Sequence, residues 1–542
     1  MKKIYNKLIA LNVIILLLFS NSCDLNQQED PNNLTSNNVD IEFLLNRVQL
    51  SYTNLTIGDK RGNEPGLNNA AREAVRMLQQ FGPYTGAFTD LTATSLNRVW
   101  SYGYMKVLKN GMEALALAEE EGLPYHAGVA RTIMALCLAN LVDHFNDIPW
   151  SQALDAANYP MPEANNGEDV YDVAMEMLDL AIEDFNETPP GIPNDYYFNG
   201  SAASWLKAIA SIKLKMYLNL RLIDASGSTS AINQLIADGF LIDEIAEDFE
   251  FQYSTVAANP DSRHPDYRYN YDANGGDDYM SNWYMSSMKD DPPAWDPRMR
   301  YYFYRQIEED PTGDDLPCTG LNYDYCYIGD YYWGRDHADD EGVPPDQLKR
   351  TVTGIYPAGG AFDGDNFMSV NDNPGAGGEG IFPIMLSSWV NFMLAEASLT
   401  LGTTGDARTY LENGLTQSIE KVMTFGAPYI SEDEAAFIPT DTAVDDHINW
   451  VLANYDNAAN DAERLDIIIK EYFIALWGNG MEAYNAIRRT GYPSDVQDPV
   501  IVSGPFPRTY QYPSDLVLLN DNFDQRVVTE RVFWDNNETP LQ

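Results

Sequence analysis

A chain of 542 residues with 81 acidic against 34 basic side chains carries a formal charge of −47. A surface of that sign repels the phosphates of DNA and RNA, whose binding depends on cationic neutralisation; nucleic-acid partners are excluded and neutral or cationic ligands are favoured. With 44% hydrophobic and 12% aromatic residues, the chain can bury a large core and does not have the composition of a disordered protein.

At the N-terminus three lysines (Lys2, Lys3, Lys7) precede the apolar run LIALNVIILLLF, Leu8 to Phe19. The run is shorter than the roughly 20 apolar residues of a stable membrane-crossing helix and fits the apolar region of a secretory signal. Residues 1–22 therefore read as a signal peptide, whose removal takes the formal charge from −47 to −50. Ser20-Asn21-Ser22-Cys23 resembles a bacterial lipobox. In that reading Cys23 becomes the first mature residue and carries diacylglycerol on its thiol, with a further acyl chain such as palmitate on the new amino group. At about 0.8 kcal/mol per buried methylene, such chains hold a soluble domain at a membrane. The alternative is an ordinary signal peptide with a chance cysteine nearby. Residues 23–40 are polar, rich in Asn and Asp and free of apolar periodicity, and so read as a flexible acidic tether. QQED just after Cys23 resembles the short signals that send some Gram-negative lipoproteins to the outer face of the outer membrane.

Residues 41–542 read as one mostly helical domain. From about residue 97 to 223 four segments show apolar residues at i, i+3/i+4, i+7: RVWSYGYMKVLKNGMEALALA, HAGVARTIMALCLANLVDHF, DVYDVAMEMLDLAIEDF and SAASWLKAIASIKLKMYLNLRLID. Antiparallel helix pairs are the economical arrangement for them. Trp100 and Met134, and Tyr171 and Trp205, are each 34 residues apart, the tetratricopeptide (TPR) period, although the full repeat pattern is absent. Residues 224–385 are rich in Gly, Pro, Asp and Tyr with only short periodic runs; loops that long in a compact domain are usually functional. Helical pattern resumes at SSWVNFMLAEASLTL, DARTYLENGLTQSIEKVMTF, VDDHINWVLANY and ERLDIIIKEYFIALWGNGMEAYNAIRR.

Cys137 lies on an apolar helical face with Val129, Ile133, Leu136 and Leu141 and reads as a buried core thiol. Cys318 and Cys326, eight apart in a Gly/Pro/Asp-rich loop of an exported chain, suit a local disulfide; a Cys-based metal site would want more Cys or His nearby. Enzymatic signatures are missing or fail on context. The five His are scattered, and Gly375, Gly377 and Gly380 match GxGxxG without a βαβ unit around them. Asp277-Asp278 and Asp363-Gly-Asp365 could hold a structural Ca²⁺, but they lack EF-hand spacing and suit a solvated face.

Several segments, in the same order along the chain, resemble the SusD/RagB family of outer-membrane nutrient-binding lipoproteins. LVDHFNDIPWSQALD (Leu141 to Asp155) is similar to the family's D-x-(F/Y)-G-D-(I/V)-P-(Y/W) signature, with Asn146 in place of the usual Gly. DPRMRYYF (Asp296 to Phe303) resembles its DPR segment, GIYPAGGAFD (Gly354 to Asp363) a turn of one SusD-like branch, and VNFMLAEASL its AEA helix. GMEAYNAIRRTGYP followed by FPRTYQYPSDLVLLN resembles the closing run, with Asp515 where Glu is usual. The resemblance spans residues 40 to 540. It implies a SusD-like fold and a cell-surface binding protein that catalyses nothing, captures oligosaccharides or in some members peptides, and passes them to a SusC-like TonB-dependent transporter. Most matching motifs are scaffold, so Arg488 and Arg489 are expected in ion pairs rather than at a ligand. The rival readings are a peptide-binding member and an all-α surface glycosidase.

Between Tyr267 and Trp333 about a quarter of the residues are aromatic, 13 Tyr, three Trp and one Phe among 67. Sugar rings present C–H faces that stack on indole and phenol. Trp295 and Tyr301 to Tyr304 adjoin the DPR segment and read as packed. Trp283 and Tyr284, and Tyr331, Tyr332 and Trp333, sit among Gly and Asp and are the candidate glycan contacts, with transporter contact and packing as alternatives. Tyr84 lies in a region that resembles a ligand-facing loop of the family and joins them.

Overall fold

A computed structural model describes residues 40–541, apart from 60–63, 80–91, 188–193, 273, 314, 317, 321, 342–344 and 502–503. Cys23, the rest of the leader and tether up to residue 39, and Tyr84 lie outside the described residues.

Many of the helices begin where a polar side chain takes up an otherwise unpaired N–H. Asp40 accepts from Glu42 N at 3.0 Å to open α1 (Ile41–Thr56), Asn166 accepts from Glu168 N at 2.9 Å and Ser201 from Ser204 N at 3.3 Å. The N-terminal half continues with α2 (Leu67–Ala74), α3 (Lys109–Glu121), α4 (Pro124–Phe145), α5 (Gly167–Asn186), α6 (Ala202–Asn219) and α7 (Ala225–Asp238). The segment expected as one helix from 97 is continuous into α3, but Tyr102–Leu108 winds as a π-helix. A left-handed Gly122 ends α3 and Pro124 opens α4, so the two form a hairpin; α4 packs in turn along α5, and α6 along α7. The helices approach closely at two glycines. A Cβ on Gly111 would lie 2.6 Å from Met134, and one on Gly128 2.8 Å from the Phe185 ring. α4 is long and apolar enough to cross a membrane, but its side chains are buried in the protein, Cys137 among them.

The C-terminal half is built from α9 (Ser387–Leu401), α10 (Ala407–Gly426), α11 (Asp441–Asn457), α12 (Asp461–Ala475) and α13 (Gly480–Thr490), with α9 against α10 and α12. Between the halves lies the loop-rich insertion, which contains α8 (Asn282–Lys289) and several shorter helices. Among the described residues the strands form three small antiparallel pairs: β1 (Gly58–Asp59) with β2 (Glu64–Pro65), β3 (Phe249–Gln252) with β6 (Ile381–Met385), and β4 (Phe303–Tyr304) with β5 (Val352–Thr353). The β3–β6 pairing, Phe251 opposite Phe382, closes the insertion at its base. One hydrophobic cluster runs from Leu44 to Phe523 through both halves and into the insertion.

Family-type motif residues meet at the centre. Asp143, fully buried, accepts from Trp534 Nε1 (2.9 Å), Asn485 Nδ2 (3.0 Å) and Tyr171 Oη (3.2 Å), while its carbonyl accepts from Arg488 (2.7 Å). Arg489 forms a bidentate pair with Glu396, both bonds 2.8 Å, and Arg221 joins it at 3.0 Å. Burial alone would raise the Glu396 pKa; Arg489 and Arg221 outweigh it and hold the carboxyl below its ordinary value. Asn146 has φ +63°, a positive value that suits Gly, the residue usual at this place in the DIPW motif.

Replacing Glu396 with Ala leaves Arg221 and Arg489 buried without a counter-charge, which costs about 3–5 kcal/mol. A clear fall in melting temperature is expected; a melt superimposable on the unmodified protein's would show that the pair does not bind the halves together.

Candidate functional site

The structure brings the candidate aromatics to two different places. Trp283, Tyr284, Tyr332 and Trp333 are interior, 3%, 1%, 0% and 2% exposed, and the expectation that they face a ligand is corrected. The physical reason is local. Ser281 caps α8, which turns Trp283 and Tyr284 onto Phe473 and Trp477; Tyr284 Oη donates to the Phe473 carbonyl at 2.9 Å. Trp333 Nε1 donates to the Glu309 carbonyl at 3.0 Å, and Lys349 lies over its ring. The Asp and Gly residues around these rings serve as caps, turns and ion-pair partners in a folded insertion. Asp336, for example, is buried and accepts from the backbone N–H groups of Asp324, Tyr325 and Cys326, each at 3.0 Å.

Tyr331 is different. It is half-buried and belongs to a row of incompletely covered aromatics drawn from four segments. Its ring meets Phe367 edge to face, 5.5 Å between centroids. The Arg305 guanidinium lies over Phe367 (4.9 Å) and Trp295 (5.5 Å), and Arg300 lies over Trp295 (4.9 Å) and Phe437 (4.8 Å). Tyr327 extends the row: its hydroxyl accepts from Tyr331 N at 2.8 Å and donates to Asp310 at 2.6 Å. Tyr327, Phe367, Trp295, Phe437 and Arg300 are all half-buried, with Asp330 and Asn366 exposed beside them.

This row is held by polar contacts below it and by constrained backbone within it. Arg305 pairs with both oxygens of Asp363 (2.7 and 3.1 Å) and with Asp365, and donates to the Asp330 carbonyl at 3.0 Å; Arg300 donates to Asp365 at 2.7 Å. Burial alone would raise the Asp365 pKa; the two arginines outweigh it and hold it below the usual carboxylate range. Asp330, Tyr331, Asp365 and Phe367 all have positive φ, +54°, +66°, +55° and +46°. Bulky side chains rarely adopt that region, each instance costing about 1–3 kcal/mol, and such residues cluster at ligand sites. The half-buried Cys326, φ +57°, forms the expected disulfide with Cys318 across a Cα separation of 6.0 Å, a separation that fits disulfide geometry.

The acidic pairs considered for Ca²⁺ are engaged by protein donors. Asp363 and Asp365 face Arg300 and Arg305, and Asp278 accepts from Asn270 at 2.8 Å. Asp296, His447 and Glu471 converge in the interior, but Arg298 already bridges the two carboxylates at 2.6 and 2.9 Å. A metal ion there would meet a buried guanidinium. The glycines of GAGGEG let their turn lie on another turn: a Cβ on Gly375 would overlap the Gly360 carbonyl.

Sequence reasoning placed Trp295 in the core and passed over Phe367, Phe437 and Arg300. For Phe367 a signal exists, an aromatic inside the turn-forming stretch DGDNF. Phe437 reaches the row only through the tertiary fold.

Residues 31–513 match the sequence profile of a SusD-like family described as starch-binding and associating with the outer membrane. The chain belongs to this family. Its fold is similar to that of a SusD/RagB family protein from Bacteroides thetaiotaomicron VPI-5482 (TM-score 0.66, 18% identity, 92% of this chain and 100% of that one). It is also similar to a SusD homolog from Bacteroides fragilis NCTC 9343 (0.64, 19%, 92% and 99%) and to a chitin-binding SusD homolog from Flavobacterium johnsoniae (0.64, 17%, 92% and 99%). A comparison with curated proteins finds no match.

The buried position of Trp283 predicts that Trp283→Ala lowers stability by about 3–5 kcal/mol while the folded fraction binds ligand as before. Thermal melts paired with calorimetric titrations measure both; an unchanged melt with lost binding would return this residue to the ligand surface.

Proposed function

We propose that this protein is a cell-surface lipoprotein that captures a neutral oligo- or polysaccharide on the Tyr331–Phe367–Trp295 row and delivers it to a SusC-like TonB-dependent transporter in the outer membrane. The observation that carries the reading is the row itself: aromatic rings left partly uncovered, two of them fixed by left-handed backbone, beside Arg300, Asp330 and Asn366. Rings of this kind offer stacking area for sugar C–H faces, and the polar neighbours offer partners for hydroxyls. The formal charge of −47 favours an uncharged glycan over an acidic one. Family membership supports association with the outer membrane, and Cys23 after the signal supplies the anchor. Proteins of this family are typically binders rather than enzymes, and Asp363 and Asp365, beneath the row, are both occupied by arginine.

Tyr331→Ala and Trp295→Ala are each expected to weaken binding by about 1–3 kcal/mol, as for other aromatic anchors and stacked rings. Calorimetry against a panel of soluble neutral polysaccharides, with an unstructured peptide mixture as control, measures it. Unchanged affinity in both variants, or binding of the peptides alone, would overturn the reading. Independently, Cys23→Ser is expected to leave a folded protein that no longer partitions into membranes. A fatty-acid analogue should label the unmodified protein and not the variant; no label on the unmodified protein would remove the anchor.

A further inference from the structure

Away from the aromatic row, α5, α6 and α7 enclose a groove of about 410 Å³. Its walls are mostly apolar: Ile182 from α5, Leu206 and Tyr217 from α6, Leu235 from α7, and Phe240 just beyond it. Phe240 is 55% exposed, so a large apolar ring stands in water at the rim. Soluble surfaces seldom leave such a concave apolar patch without an occupant.

Two features of the groove define what would fill it. The first is charge. α5 carries seven acidic residues and no basic one, and Asp172, Glu176, Asp179 and Glu183 are exposed and follow one another at helical spacing, with Asp179 lining the groove. Asp238 stands on the opposite wall. The one cation among the described lining residues, Lys213, is already paired with Asp179, and nearby Lys207 is paired with Asp243 and Glu247. The second is the backbone. All three walls are helices whose main-chain groups bond internally, so the groove offers no strand edge to an extended peptide. An occupant must satisfy its own backbone, as a helix does.

We propose that this groove docks a basic amphipathic α-helix of a partner protein, its apolar face against Leu206, Leu235 and Phe240 and its lysines or arginines along the acidic stripe of α5. The site is separate from the glycan surface and does not rest on that reading.

The test uses the full mature chain and three fluorescein-labelled synthetic peptides of equal length: an amphipathic Leu/Lys helix, its Leu/Glu counterpart, and the Leu/Lys composition scrambled to destroy the apolar face. Fluorescence anisotropy is expected to show the Leu/Lys helix binding at least tenfold more tightly than either of the others. Ala231→Trp, which fills the groove, and Phe240→Ser, at an exposed position, should each weaken it at least tenfold with unchanged melting. Equal binding of the scrambled peptide would mean attraction to the negative surface at large and overturn the proposal. Full affinity in Phe240→Ser and in Ala231→Trp would overturn it as well; if Ala231→Trp fails to fold, Phe240→Ser alone decides.

Discussion

The fold depends on two buried acidic residues, Asp143 and Glu396, that receive two consecutive arginines. Asp143, near the end of α4, and Glu396, in α9, receive Arg488 and Arg489 from α13, the first through its main-chain carbonyl and the second through a bidentate pair. A charged group taken out of water is tolerated only when its hydrogen-bonding capacity is met. Here Trp534, Asn485, Tyr171 and Arg221 meet it from helices and loops far apart in sequence. Unsatisfied, any of these groups would be costly, so the network admits one relative placement of the N-terminal helix pairs, the C-terminal helices and the chain end. Arg488 and Arg489 are thereby committed to structure rather than to a ligand.

That fixed frame makes the insertion possible. The expected insertion from 224 opens with α7, a regular helix; beyond it residues 239–385 contain little regular structure, yet their interior is dense with side chains, and buried irregular backbone has to find partners. It finds them in side chains such as Asp336, which accepts from three backbone N–H groups, and Gln306, whose Nε2 donates to the Gln347 and Arg350 carbonyls (3.0 and 2.7 Å), and in the β3–β6 closure at the base. The outer edge, around Asp330, Tyr331, Asp365 and Phe367, combines unfavourable backbone with partly uncovered rings. Strain is sustained there because Arg300 and Arg305 hold the carboxylates and the aromatics from beneath. A surface preset in this way loses little conformational freedom when a ring-shaped ligand settles on it.

Much of the fold was legible in the sequence because long helices announce themselves by periodicity. The four segments from 97 to 223 and those after 387 appear as helices, and the disulfide and the buried Cys137 follow from their surroundings. The site was legible only in part. Composition located the right region, but it could not separate Tyr331, left at the edge by a positive φ, from Tyr332, turned inward against Trp295 and Arg305. Two neighbours on opposite faces share every local signal. Trp283 was misread because Gly and Asp suggest solvent, whereas here Ser281 starts a helix whose apolar face is covered by α12. Phe437 could not be found at all, since nothing in its own segment marks the side on which Arg300 lies.

The central claim is that the partly uncovered rings, and not the buried ones, are what a sugar meets. A crystal structure of the protein with a bound oligosaccharide tests it most directly. The account predicts a pyranose ring in van der Waals contact, at about 4 Å, with Tyr331 or Trp295, and hydroxyls bonded to Asp330, Asn366 or Arg300. A sugar bound elsewhere, with both rings bare, would contradict it.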